Sequence, residues 1–148
     1  MHIELIRADV TSLKVDAMVN PSDSQKHIAG LGYIPVGTAL VSTGGNLLCK
    51  FIIHAAGPHM GEGDEDRKLR SATWAALQRA EELAVASVAF PAMSTGVFGF
   101  PIERSARVML AATIDFRPHA RSLQRVVYCL FGSEPYTEFE RVLTELGE

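Results

Sequence analysis

Phe90-Pro91-Ala92-Met93-Ser94-Thr95-Gly96-Val97-Phe98-Gly99-Phe100-Pro101 is the stretch on which the fold of this chain turns. An apolar, β-favouring run, Ser87-Val88-Ala89-Phe90, leads into it, and a helical pattern from Ile102 to Phe116 leads out. A strand that ends in such a loop and then enters a helix points several backbone N–H groups at one place. The helix N-terminus adds partial positive charge there, so the place suits an anion, most often a phosphate. Pro101 fits the first helical position, where a missing N–H costs nothing, and Glu103 belongs in the first turn. Gly96 and Gly99 permit positive φ or the close approach of a ligand to the main chain. The same residues also fit an ordinary strand–helix turn, and composition leaves both readings standing.

Working outward, the chain reads as alternating strands and helices. His2 to Ala8 is a first strand, and Leu13 to Val19 a second, with Val15, Ala17 and Val19 on one face. Asn20-Pro21-Ser22-Asp23-Ser24 breaks that strand with turn chemistry. Residues 25–36 show neither period and read as a mobile loop marked by Gly30, Gly32 and Pro35. Gly37 to Thr43 and Lys50 to Ala55 are strands close enough for a hairpin around Gly44-Gly45-Asn46. Asp64 is placed to cap a helix on which Leu69, Ala72, Thr73, Ala76, Leu77, Ala80, Leu83 and Ala84 recur at helical spacing. Trp74 falls at the edge of that face, at the rim of a core. After the helix from Ile102, Arg125 to Phe131 is the last strand, and Tyr136 to Leu146 a final helix. About six strands and three helices, joined both by hairpin and by helix, make a mixed sheet layered with helices: an α/β fold.

The 148 residues suffice for a single domain, 1–148, with a full core, and 47% hydrophobic against 21% charged residues is a globular balance. A formal charge of −3 and a pI near 5.9 argue against non-specific nucleic-acid binding through bulk charge, while leaving room for a small basic patch. Cys49 and Cys129 lie in apolar surroundings and read as free buried thiols. The chain opens directly on a strand pattern, with no signal peptide and no membrane-spanning run, which places it in the cytoplasm by default. There is no P-loop lysine, no glycine fingerprint after the first strand and no metal-ligand spacing, so no cofactor and no metal are expected. His54 ends an apolar strand and reads as structural. Ser94 lacks the surroundings of a hydrolase nucleophile.

What remains is a set of residues at strand ends: Asp9, Asn20, the loop at Ser94, and Phe131. In an α/β sheet the C-terminal ends of parallel strands share one crevice. A carboxylate, an amide, a phosphate cradle and two aromatics at one edge make a nucleotide site, since Asp accepts from an exocyclic amine and Phe stacks on a flat base.

At this point the chain resembles the macrodomains, the ADP-ribose-binding family. The resemblance rests on Ala8-Asp9-Val10-Thr11, Val15-Asp16-Ala17-Met18-Val19-Asn20, Gly37-Thr38-Ala39, Phe51-Ile52-Ile53-His54-Ala55-Ala56-Gly57-Pro58, the loop Pro91 to Pro101, and Val127 to Phe131. It implies a three-layer α/β/α fold with a six-stranded mixed sheet. It implies that Asp9 holds the adenine amine, that the Val10 N–H contacts the base and that Phe131 packs on it. Ser94, Thr95, Gly96, Val97 and Phe98 would line the diphosphate and distal ribose, with Asn20 facing that ribose.

The departures from the family are equally specific. Family hydrolases usually carry Asn-Ala-Ala-Asn after the second strand, and a glycine-rich loop then opens a helix. Here the first motif reads Asn20-Pro21-Ser22-Asp23, and only Ala29-Gly30-Leu31-Gly32 stands where the loop should be. One wall of the channel should be thin, and the usual water-positioning residues do not carry over. The expectation is a binder of ADP-ribose or ADP-ribosylated molecules. The alternatives are a hydrolase that removes a phosphate, acyl group or protein side chain from the distal ribose, with Asp23 as base, and a scaffold that has lost the ligand.

Overall fold

The computed structural model describes residues 1–148. Its strands are β1 (His2–Ile6), β2 (Ala17–Ser22), β3 (Ala39–Thr43), β4 (Phe51–Ala56), β5 (Ser87–Phe90) and β6 (Arg125–Cys129). Its helices are α1 (Glu65–Glu82), α2 (Ile102–Phe116) and α3 (Ser133–Glu145). The sheet order is β1-β6-β5-β2-β4-β3. The first five of these run parallel, and only β3 is antiparallel, on β4. The mixed six-stranded α/β arrangement read from the sequence is the one found.

Strand alternation sorts the core. Val88, Phe90, Val126 and Tyr128 face the helices, while Ala89, Val127 and Cys129 face the other way. The helices pack in a row, α1 on α2 and α2 on α3. Leu69, Ala72, Ala76, Leu77 and Ala80 of α1 and Ala106, Met109 and Leu110 of α2 join that core. Tyr128 is fully buried, and its hydroxyl lies 2.6 Å from Thr113 Oγ1. Burial pushes its phenol well above the ordinary value, so it stays neutral. On the opposite face, Val10, Leu13 and Val15 cover Ala89, Val127 and Cys129. Trp74 packs edge-on against Phe116 at 5.0 Å, at the rim.

Several boundaries differ from the sequence reading. β2 starts at Ala17 rather than Leu13 and continues through Asn20, Pro21 and Ser22. Pro21 is held in the strand by its pairing opposite Ala55 of β4. β2 pairs with β5 only through Ala17 and Met18, so beyond Met18 the strand is laddered on one side, where proline is tolerated. Ahead of the strand, Asp16 acts as a staple. Its carboxylate accepts the N–H groups of Ala86 (2.9 Å) and Ser87 (3.2 Å). Asp64 stands at the N-cap of α1 but makes no capping bond from its side chain. Its carboxylate turns to Arg67, while Glu65 accepts the Gly63 N–H. Pro101 is the N-cap of α2, in extended conformation, rather than its first residue. Ile34, inside the stretch read as a loop, is fully buried. No helix is long and apolar enough to cross a membrane.

Candidate functional site

Because five strands run parallel, the segments leaving their C-terminal ends gather along one edge of the sheet. Asp9 and Val10 follow β1, Phe131 follows β6, and Pro91 to Gly99 follow β5. A hollow of about 230 Å³ is lined by Asp9, Val10, Pro91, Cys129 and Phe131. A second, of about 270 Å³, adjoins it through the shared Pro91, Cys129 and Phe131 and adds Ala92, Thr95, Gly96, Ile102 and Pro135. Phe131 is 82% exposed, an aromatic face left open beside the first hollow. Asp9 Oδ1 accepts the Thr11 N–H at 2.9 Å and the Thr11 hydroxyl at 2.8 Å. The Thr11 N–H, then its hydroxyl, hold the Asp9 carboxyl below the usual carboxylate range. Burial pushes the Cys129 thiol up to about 12, so the cysteine between the hollows is an uncharged wall.

The loop after β5 is shaped by left-handed backbone at Ser94 (φ 63°) and Gly96 (φ 70°). Its internal ties are few: Thr95 Oγ1 donates to the Ala92 carbonyl at 2.8 Å, Gly99 N–H to the Gly96 carbonyl at 2.9 Å and Phe100 N–H to the Ser94 carbonyl at 2.9 Å. The N–H groups of Thr95, Gly96 and Val97 have no acceptor inside the protein. Two helix N-termini border the second hollow, through Ile102 of α2 and Pro135 of α3. Free donors beside two positive helix ends are an arrangement chemically suited to an anion.

The sequence-derived residues divide into two groups. Asp9, Val10, Thr95, Gly96 and Phe131 line the two joined hollows. Asn20, Ser94, Val97 and Phe98 do not. Asn20 lies within β2, with Nδ2 3.3 Å from His54 Nδ1, and His54 Nε2 is 2.8 Å from Ser42 Oγ. His54 is thus a buried, satisfied histidine, and burial lowers its tendency to take a proton. Ser94 is buried, and its hydroxyl has no partner. Val97 is 96% exposed at the tip. Phe98 is covered by His59, whose ring stacks on it at 3.7 Å. Asp23 caps its own turn, accepting the Gln25 N–H at 2.9 Å, and lies 3.6 Å from His59 Nε2. That separation is too long for a hydrogen bond, and it becomes a charge contact when His59 is protonated.

Sequence reasoning passed over Pro91 and Cys129 as site residues, and His59 altogether. Cys129 was legible, being two residues before Phe131. His59 offered only its place just past the end of β4.

A family model for the macro domain matches residues 18–109. The chain belongs to the macro domain family. This macrodomain is similar to a macro domain-containing protein of Caldanaerobacter subterraneus subsp. tengcongensis, at 34% identity over 99% of this chain and 98% of the relative. That alignment spans 172 positions against 148 residues here, so the relative carries residues that this macrodomain lacks. The β2–β3 connection, where the sequence already reads short, holds no helix. Among solved structures, a Trypanosoma brucei macrodomain in complex with ADP superposes with a TM-score of 0.86 at 25% identity, over 96% of this chain and 69% of that one. A mutant Oceanobacillus iheyensis macrodomain with ADPR shares the fold, with a TM-score of 0.88 at 23% identity over 97% and 92% of the two chains.

A larger concavity of about 690 Å³ lies along β3 and the outer side of α1, near Trp74, Arg67, Arg70 and Arg79. Its guanidinium groups are already paired, with Asp64, Asp115 and Glu82 respectively.

Proposed function

We propose that this macrodomain, residues 1–148 acting as one unit in the cytoplasm, binds ADP-ribose, free or carried on another molecule. Adenine occupies the hollow of Asp9, Val10 and Phe131. The Asp9 carboxylate accepts from the exocyclic amine, the Val10 N–H meets the ring edge, and Phe131 stacks on its face. The diphosphate lies against Thr95, Gly96 and Val97, with Ser94 bending the loop through its backbone. The observation that carries this reading is the run of N–H groups without acceptors at Thr95, Gly96 and Val97, of which Thr95 and Gly96 line a hollow that adjoins an aromatic-walled one. The ADP and ADPR of the two structural relatives support it. Binding is favoured over hydrolysis because Asp23 already serves its own turn and sits against His59.

Calorimetric titration with ADP-ribose should show saturable binding at one site per chain. Absence of heat at millimolar ligand would refute the reading. The purified protein should release no ADP-ribose from an ADP-ribosylated protein, and sustained metal-independent release would replace the binder with a hydrolase.

A further inference from the structure

The loops along the sheet edge stand in strand order: after β1, β6, β5, then β2 and β4. The two hollows use the first three. Past Gly96, toward β2 and β4, three segments meet. His59 lies nearly parallel to Phe98, with ring centroids 3.7 Å apart at 18°. Asp23 Oδ1 is 3.6 Å from His59 Nε2. The Met60 N–H donates to the Phe98 carbonyl at 2.9 Å, which fixes the His59 segment alongside the loop. The Asn20 amide is engaged with His54. One face of Phe98 and the Asn20 amide nitrogen are therefore already engaged within the protein.

We infer that Asp23, His59 and Phe98 form a stop at the far end of the cleft, so that the chain reads the nucleoside diphosphate and not the group beyond it. This rests on the nucleotide reading given above. A sugar attached to the second phosphate runs past these residues toward solvent and gains little, since His59 takes one face of Phe98 and His54 takes the Asn20 amide nitrogen. The ligand class is then ADP and ADP esterified on its terminal phosphate, ADP-ribose being one member. Large groups on the distal ribose are tolerated because no side chain closes around them.

The test is titration of the full chain with ADP, ADP-ribose and AMP. ADP and ADP-ribose should bind within about fivefold of each other, and AMP at least about tenfold more weakly than ADP. ADP-ribose binding more than about fivefold tighter than ADP overturns the stop, and AMP equal to ADP overturns the reading of the second phosphate. If neither ADP nor ADP-ribose binds, the nucleotide reading itself fails and takes the stop with it. His59→Ala bares the face of Phe98, so the ratio of ADP-ribose to ADP affinity should rise at least about fivefold. A folded His59→Ala protein with the parental ratio removes His59 from this role.

Discussion

At Asp9 one carboxylate caps a turn and is proposed to hold the ligand as well. Oδ1 is occupied by Thr11, capping the short turn Val10–Ser12, which leaves Oδ2 for a ligand. Asp9→Ala removes both, whereas Asp9→Asn keeps an acceptor for the turn and discards the charge. Both should lose roughly ten- to hundredfold in ADP-ribose affinity, as expected for a charged hydrogen bond. Asp9→Asn should melt closer to the parent than Asp9→Ala does. Calorimetry with thermal denaturation reads both effects, and parental affinity in Asp9→Asn would take Asp9 out of the site. Asp9 and Phe131 stand out in the sequence as strand-end residues, and Val10 only through the family resemblance. His59 does not, because its role consists in a contact with Phe98 that no local pattern encodes.

The loop between β5 and α2 is the element proposed to hold the phosphates, and two glycines test it from opposite sides. Gly96 has φ 70°, and a Cβ there would meet nothing within 4 Å. Gly96→Val should therefore fold with a backbone penalty of about 1–2 kcal/mol, while its side chain enters the space next to the free N–H groups and blocks ADP-ribose. Gly57 lies behind the loop, and a Cβ there would fall 2.3 Å from Ser94 Oγ. Gly57→Ala must displace Ser94, so it should weaken ADP-ribose binding without touching the ligand. If Gly96→Val is folded and binds like the parent, the phosphates lie elsewhere. If Gly57→Ala melts lower yet binds normally, Ser94 does not set the loop. The helix bounds Ile102–Phe116 agree with the periodicity because amphipathic spacing is local. The end of β2 could not be read that way, since Pro21 stays extended through its partner Ala55.

Across the whole molecule, Glu81 ties the end of α1 to the segment that enters β6. Its carboxylate accepts the N–H groups of Arg121 (2.9 Å), Ser122 and Leu123 (3.1 Å). Burial works against its charge, but the three N–H groups outweigh it and hold the carboxyl below the ordinary value of 4.5. With a depressed folded value, the stabilisation is complete above 4.5 and is lost as pH falls through the folded value. Glu81→Gln should cost about 1–3 kcal/mol in urea unfolding at pH 7. Its difference from the parent should shrink in more acid solution, and a difference independent of pH would show that the ionised form is not what holds the segment.

The sequence by itself determined the order of strands and helices, the mixed α/β class and the loop that carries the free N–H groups. These follow from periodicity, strand-forming residues and turn chemistry, all of which act over a few neighbours. Only the tertiary structure decided which strand ends stand side by side. Sheet order places β6 next to β1 and β5 next to β6, and so joins Asp9 to Phe131 and Pro91 around one hollow. The same order lays the segments after β2 and β4 against the loop, where His59 covers Phe98 and Asp23 faces His59. Pairing between strands distant in the chain is fixed by the shared core, and no local spacing records it.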